Sequence, residues 1–464
     1  MDTVAIILAA GQSTRMRSRL PKVLHPIAGR PMIWYSLQAA RQAVGEGRRP
    51  ILVVGHAADA VRAAVGDQAE YAYQAQQLGT GHAVMQARPL LEGWQGTVLV
   101  LYGDMPLLRG ETLRSLLQLH EAQRSHTPLT MLTVESQDSM GFGRVVRDEA
   151  GRVLAVVEEA VATPEQKRIT ELNCGVYCFE SAWLWEHLGR LPLSPKGEYF
   201  LTDLVAMAAE EGYAVATWKL ADVSEVLGVN NRLHLAQVER VMRRRINERW
   251  MLAGVTMTDP ETTYIDMDVE IGQDTVIFPN THLLGTTRIG EECRIGPNSV
   301  IRDSTIGNRC TILASVLESA LVEDDVDIGP FGHLRKGAHL AQGVHMGNFG
   351  EVKNAYLGPG TKMGHFSYIG DAQIGRNVNI GAGTITCNFD GKRKHQTIIE
   401  DDVFIGSDSL LVAPVRVGAG AITGAGSVVT HDVPPGAVVY GVPARVRRQR
   451  EDIPPQDKEE EPPA

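Results

Sequence analysis

Ile289-Gly290-Glu291-Glu292-Cys293-Arg294-Ile295-Gly296-Pro297-Asn298-Ser299-Val300-Ile301 places an isoleucine at every sixth position, and this beat decides the fold of half the chain. It runs back through Leu283 and Ile277 to Ile271. After a slip it resumes at Ile328-Gly329, Met346-Gly347, Met363-Gly364, Ile369-Gly370, Ile374-Gly375 and Ile380-Gly381, then at Ile405-Gly406, Leu411, Val417-Gly418 and Thr423-Gly424. A helix repeats at about 3.6 residues and a strand at about 2, so neither gives a period of six. A hexapeptide repeat does: each unit is a short strand and a turn, stacked on its neighbours into a parallel β-helix. The aliphatic residue is expected to point into the stacked core, and the glycine after it to ease a tight corner.

The rest of the chain reads differently. At 464 residues it divides into at least two domains. The expected division is an α/β domain at 1–228, a joining helix at 229–252, the β-helix at 253–450 and a Pro- and Glu-rich disordered tail at 451–464. A formal charge of -10 argues against a general nucleic-acid binder. Arg243-Arg244-Arg245 interrupts the apolar stripe Leu235, Val238, Val241, Met242 and Ile246, and reads as a solvated helix face. The five cysteines (Cys174, Cys178, Cys293, Cys310, Cys387) lack paired zinc-type spacing, so reduced thiols are expected. No basic region precedes the short apolar run Val4–Ala10, which reads as a first strand rather than a signal peptide. With no stretch long enough to span a bilayer, a cytoplasmic location is expected.

Residues 1–228 alternate strand candidates (Val4–Ala9, Ile51–Val54, Thr97–Leu101, Leu129–Val134) with helix candidates (Met32–Ala43, Gly81–Leu91, Thr112–Arg124, Phe200–Glu211). This alternation predicts βαβ crossovers and a mostly parallel, Rossmann-like sheet. Ligands in such sheets sit at the carboxyl ends of strands, so the loops after Ala9 and Leu101 carry the interest. The first loop, Leu8-Ala9-Ala10-Gly11-Gln12-Ser13-Thr14-Arg15-Met16 with Pro21-Lys22, offers backbone N–H groups and two cations to an anion. It fits neither the dinucleotide nor the P-loop pattern. The second, Tyr102-Gly103-Asp104-Met105-Pro106, puts a carboxylate just past a buried strand, as a turn residue or as an anchor for a hard cation.

The first loop closely resembles the L-A-A-G-x-G-T-R-(M/L)…P-K signature of the sugar-1-phosphate nucleotidylyltransferases, with Ser13 in place of a glycine. That resemblance implies UTP and UDP-sugar contacts from Leu8, Ala9, Ala10, Gly11 and Lys22, with Arg15 stabilising phosphate charge. It makes Asp104 a Mg²⁺ ligand beside Tyr102 and Gly103. Gln74-Ala75-Gln76-Gln77-Leu78-Gly79-Thr80-Gly81-His82 is similar to the segment that reads uracil, implying roles for Gln74, Gly79 and Thr80. Gly143, Glu158 and Asn173 match the sugar stations, Cys174 standing where Thr or Ala is usual. Asn230 matches the residue that completes the metal site.

Within the repeats, Lys362-Met363-Gly364-His365-Phe366-Ser367-Tyr368 sets a histidine among aromatics, a potential base near neutral pH. Arg335 and Lys353 suit a phosphate, and Tyr368, Asn379 and Asn388 suit hydroxyls. These residues, with Asn379-Ile380-Gly381-Ala382-Gly383-Thr384-Ile385-Thr386-Cys387-Asn388 and Gly406-Ser407, resemble the acetyltransferase half of the bifunctional UDP-N-acetylglucosamine pyrophosphorylase/glucosamine-1-phosphate N-acetyltransferase family. With the N-terminal motifs, the match covers residues 3 to 430. It implies a left-handed β-helix, a homotrimer with shared acetyl-transfer sites, and His365 as general base. Ala382, Phe389, Ser407 and Ala425 would lie against acetyl-CoA. Substrates would be glucosamine 1-phosphate, N-acetylglucosamine 1-phosphate, UTP and acetyl-CoA. Phe389 replaces a usual Tyr, and Gly441 stands where the family holds coenzyme A with an Arg; Arg445, Arg447 or Arg448 is the candidate replacement. Two rival readings are a nucleotidylyltransferase with a regulatory β-helix, and a β-helix serving only trimer formation.

Overall fold

The computed structural model describes residues 2–12, 14–45, 47–195 and 197–450. Ser13 and the tail expected at 451–464 lie outside the described residues. The chain forms two compact units, Met1–Met242 and the residues from Arg243 onward, dividing inside a 21-residue helix, Arg232–Leu252.

The first unit is built on a nine-stranded sheet. In chain order its strands are β1 (Thr3–Leu8), β2 (Ile51–Val54), β3 (Glu70–Tyr73), β4 (Thr97–Tyr102), β5 (Leu129–Glu135), β6 (Arg144–Arg147), β7 (Val153–Val157), β8 (Glu171–Glu180) and β9 (Ala216–Leu220). The order across the sheet is β9-β5-β8-β4-β1-β2-β3, with β6 and β7 off this path. Alternate residues of β1 enter different cores: Val4, Ile6 and Leu8 one, Ala5 and Ile7 the other. Burial on both faces is why these strands read as unbroken apolar runs. The sheet departs from the expected parallel arrangement at β8, which runs antiparallel between β4 and β5. Helices Met32–Val44 and Gly110–Gln123 match the periodic segments, whereas the expected Gly81–Leu91 splits into an α-helix, Thr80–Met85, and a 3-10 turn, Arg88–Leu91.

The second unit is the β-helix. Each coil contributes one short strand to each of three parallel sheets, here faces one, two and three. The six-residue beat takes the faces in turn: Ile277 and Ile295 pair on face one, Leu283 and Ile301 on face two, Ile271 and Ile289 on face three. All six side chains are buried. The glycine after the aliphatic residue takes a corner conformation at Gly296 and Gly329, with φ +94° and +105°, but not at Gly272, Gly290, Gly347 or Gly381. Elsewhere the left-handed corners are shared by Asn and Asp, among them Asn280, Asn298, Asp325, Asp371 and Asp402, with other glycines such as Gly343 and Gly360, residue types that tolerate that conformation. The glycine is needed where coils touch: a Cβ on Gly272 would lie 2.5 Å from the backbone carbon of Gly290, and one on Gly381 2.5 Å from the Ser407 nitrogen.

Candidate active sites

In the first unit β1 and β4 are adjacent and parallel, Leu8 opposite Tyr102, and their carboxyl ends open on a cavity of about 300 Å³. Backbone hydrogen bonds fix both loops: Ala9 N–H donates to Val53 O at 2.9 Å and Gly103 N–H to Leu8 O at 2.9 Å. Leu8, Ala9, Ala10, Gly11, Lys22, Gln74, Gly79, Thr80, Tyr102 and Asp104 all line the cavity. At its mouth the charges converge. Lys22 Nζ donates to Asp104 Oδ2 at 2.5 Å and to Asn230 Oδ1 at 3.3 Å, and Arg15 Nη2 donates to Asn230 Oδ1 at 2.9 Å. Val229 N–H donates to Asp104 O at 3.0 Å, tying the Asn230 loop to the Asp104 loop. An ammonium seated between two oxygens marks a place that a small hard cation fits. Among the described residues no group of three or more His, Cys, Asp or Glu gathers; a cation there would draw its remaining ligands from phosphates and water, as Mg²⁺ commonly does.

The Gln74–His82 segment is held from inside: Gln74, almost fully buried, donates through Nε2 to Gly79 O at 3.1 Å and hydrogen-bonds His82 Nδ1 at 3.0 Å. The residues expected to contact the sugar form a second group. Asn173 N–H donates to Gly143 O at 2.9 Å, Asn173 Nδ2 to the Tyr177 hydroxyl at 2.7 Å, and the Thr202 hydroxyl to Glu158 Oε1 at 2.9 Å. A register shift in β8 between Asn173 and Tyr177 re-aims this stretch. Gly175 lies in that shift at φ +74°, and a Cβ there would meet the Tyr102 ring at 2.3 Å. Burial first, then the charges of Glu158 and Asp104, push the Tyr102 hydroxyl well above the ordinary tyrosine range. Tyr102 is thus a neutral phenol linking the two groups.

In the second unit the expected residues fall on two edges of face two. His365 stands exposed at the corner between faces one and two. Ala382, Ser407 and Ala425 occupy the same corner in successive coils, and Asn379 is the face-one residue leading into it. The other edge, between faces two and three, gathers Arg335, Lys353, Tyr368 and Asn388. Arg335 Nη1 donates to Glu351 Oε1 at 2.9 Å. Asn388 Nδ2 donates to Asp371 Oδ2 at 2.5 Å and to the Tyr368 hydroxyl at 3.4 Å. The positive charges of Lys394 and then Arg335 hold the Lys353 ammonium below the ordinary lysine range. Phe389 is exposed beside Asn388, on this edge rather than in the Ala382–Ala425 column.

Comparison with known proteins agrees with both halves. The nucleotidyl transferase family matches residues 4–251, and the bacterial transferase hexapeptide (six repeats) family matches 268–303 and 396–431. The Bifunctional protein GlmU of Pelobacter propionicus is 51% identical over 97% of this chain and 97% of its own. Those of Heliobacterium modesticaldum and Halalkalibacterium halodurans are 49% and 47% identical, covering 94% of this chain and 94% and 95% of their own. The chain belongs to the GlmU family. It is a two-reaction enzyme of UDP-N-acetylglucosamine synthesis, a glucosamine-1-phosphate acetyltransferase and a UDP-N-acetylglucosamine diphosphorylase.

Some site residues were not read from the sequence. His56, Gln77, Glu198 and Phe200 also line the first cavity. The last two arrive because Tyr199 packs against the Gln74–His82 segment, its carbonyl accepting from Gly81 N–H at 2.8 Å. Lys394 lies 3.7 Å from Asp371 and sits in a loop whose signal was present. Asn379 pairs with Phe404, 25 residues on, where Lys362 pairs with Asn379, only 17 on. Eight surplus residues cannot fit inside a stacked coil and must bulge outward, here between Asn388 and Thr397.

Proposed function

We propose that each unit houses one of the two reactions. In the second, His365 takes a proton from the amine of glucosamine 1-phosphate while the nitrogen attacks the acetyl-CoA carbonyl, and the thiolate of coenzyme A leaves. Arg335, Lys353 and Lys394 neutralise the sugar phosphate; Tyr368, Asn379 and Asn388 orient the ring. The Ala382, Ser407 and Ala425 corners line the acetyl-CoA track. His365 precedes Gly370 by five residues, and Gly370 pairs with Lys353. At about 3.3 Å per residue the base and the cation cluster of one chain lie roughly 16 Å apart along face two. The amine and phosphate of the sugar are on adjacent carbons. This favours sites completed by a second copy in a homotrimer, with His365 from one chain facing the cations of another. The exposed stack of Phe331 on Phe349, with exposed Phe366 one coil on, supports such an interface.

In the first unit the phosphate of N-acetylglucosamine 1-phosphate attacks the α-phosphorus of UTP and pyrophosphate leaves. Lys22 and Arg15 balance the phosphate charge, in a transfer that rests on positioning and electrostatics. Asp104 and Asn230 would hold Mg²⁺, which supplies further positive charge to the phosphates when bound. The observation that carries this reading is the convergence of Lys22, Arg15, Asp104 and Asn230 at the mouth of the cavity. Among the described residues no helix is long and apolar enough to cross a membrane; with UTP and acetyl-CoA as substrates, a cytoplasmic location fits.

The test is release of coenzyme A thiol from acetyl-CoA with and without glucosamine 1-phosphate, beside Mg²⁺-dependent pyrophosphate release from UTP and N-acetylglucosamine 1-phosphate. Sugar-dependent thiol release is expected despite Phe389 and Gly441. Pyrophosphate release without any thiol release would return the β-helix to a structural or regulatory role.

A further inference from the structure

The turn that carries Lys22 and the loop that carries Asn230 are 208 residues apart in sequence and meet at the mouth of the first cavity. The turn is a 3-10 helix, Lys22–Leu24, and His25 closes it, its N–H donating to Lys22 O at 3.2 Å. The loop runs directly into the helix Arg232–Leu252, where Asn231 Oδ1 accepts from His234 N–H at 2.9 Å as a cap. Lys22 bridges turn and loop by donating to Asn230, while also donating to Asp104. When those oxygens take up Mg²⁺, like charge drives the ammonium off them, and this bridge is lost.

A second bridge ties the same two segments from behind. Arg232 Nη1 donates to His25 Nδ1 at 3.2 Å. A guanidinium can only donate, so Nδ1 is the acceptor and the ring's own proton sits on Nε2. Burial, then the Arg232 charge, lower the His25 pKa below the ordinary histidine range and keep the ring neutral. His25 is 3% exposed, which fixes its imidazole, whereas Arg232 lies at the surface. Seven residues on, and so on the same helix face, Glu239 accepts from Ala28 N–H through both carboxylate oxygens, at 3.0 and 3.3 Å. The helix therefore grips the 25–28 turn at two points, and the grip at Arg232 is the one two residues from Asn230.

We infer that His25 is a positioning residue for uridylyl transfer: by holding Arg232 it fixes the Asn230 loop against the Lys22 turn while substrate fills the cavity. The inference rests on the uridylyl-transfer site proposed above. His25 and Arg232 lie outside the residues that line the cavity, so the grip acts on alignment rather than on affinity. Misplacing a group by about 1 Å near reacting atoms costs up to roughly a hundredfold in rate. What the grip needs from position 25 is an acceptor rather than an imidazole as such. The side-chain carbonyl oxygen of an asparagine supplies one close to where Nδ1 stands.

The test measures uridylyl transfer from UTP to N-acetylglucosamine 1-phosphate, with Mg²⁺, on the full chain and on His25→Leu, His25→Asn, Arg232→Met and the His25→Leu/Arg232→Met double variant. His25→Leu and Arg232→Met are each expected to lower kcat at least roughly tenfold, with the KM for UTP and the rate of acetyl transfer unchanged. The double variant should lose no more than either single one, because both remove the same contact. His25→Asn should keep turnover. Hydrogen exchange in the peptide containing Val229, whose N–H donates to Asp104 O, should quicken in His25→Leu and Arg232→Met but not in His25→Asn. Arg232 is exposed, so its variant carries the test even if His25→Leu does not fold. The inference is overturned if Arg232→Met leaves kcat or Val229 exchange unchanged, if the two losses multiply, or if His25→Asn loses as much as Arg232→Met. Absence of uridylyl transfer from the unsubstituted chain would instead overturn the site proposed above, and the inference with it.

Discussion

Gly347 and Gly364 occupy the same slot in successive coils, since Met346 and Met363 are register partners. The structure predicts very unequal responses to the same substitution. A Cβ on Gly347 would lie 1.9 Å from Gly364 O and 2.5 Å from its carbon, whereas one on Gly364 would meet only the His345 ring, at 3.8 and 4.0 Å. Backbone cannot rotate aside. Moving 1.9 Å out to an ordinary 3.4 Å requires a shift of 1.5 Å, large against a coil spacing of about 4.8 Å. Overpacking of this kind costs about 1–3 kcal/mol, and a backbone clash belongs at the upper end, about 3 kcal/mol. Gly364→Ala gains an ordinary contact and should change stability by less than about 0.5 kcal/mol. Urea unfolding of the two variants at one protein concentration measures the difference through the midpoint, given equal slopes. Uridylyl transfer, assayed alongside, reports on the first unit and should be unchanged. Equal midpoints, or a larger loss for Gly364→Ala, would refute the close-approach account of these glycines.

Two further predictions follow from charge. Because Lys394 and Arg335 hold the Lys353 ammonium below the ordinary lysine range, acetyl transfer should lose apparent affinity for glucosamine 1-phosphate at a lower pH than an isolated lysine would dictate. Lys394→Met removes the largest repulsion, so the alkaline limb of kcat/KM should move to higher pH while KM rises; an unmoved limb would contradict the shared cluster. His120 is fully buried against Thr130 at 2.9 Å, and burial, then Arg124, push its pKa down from 6.5 to about 4. The neutral form is favoured in the fold, so its contribution is present above pH 6.5 and is lost as the pH falls toward about 4, up to roughly 3 kcal/mol. Chemical unfolding of the first unit at pH 7 and pH 5 should show this slope, and His120→Leu should flatten it.

The β-helix was legible in the sequence because every sixth residue is buried, and burial restricts side-chain type more tightly than any corner does. The reason for the neighbouring glycines was not legible, since close approach between coils depends on residues 16 to 26 positions away, such as Gly290 above Gly272 and Ser407 above Gly381. The first cavity was largely readable because its loops are contiguous: Leu8 to Gly11 follow one strand, Tyr102 to Asp104 another. Its far wall was not, because Glu198 and Phe200 are brought in by the Tyr199 backbone. The residues expected to serve acetyl transfer were named singly, but their division between two edges of face two appears only once coils are in register. Lys394 was marked by the surplus length before Thr397.

The central claim, one reaction per unit with separate machinery, is tested most directly by assaying both reactions on His365→Ala and Asp104→Ala. His365→Ala should lower acetyl transfer by roughly 10²–10⁴, the usual worth of a general base, and leave uridylyl transfer intact; Asp104→Ala should do the reverse. Loss of both reactions in either variant, with the protein still folded, would contradict the account.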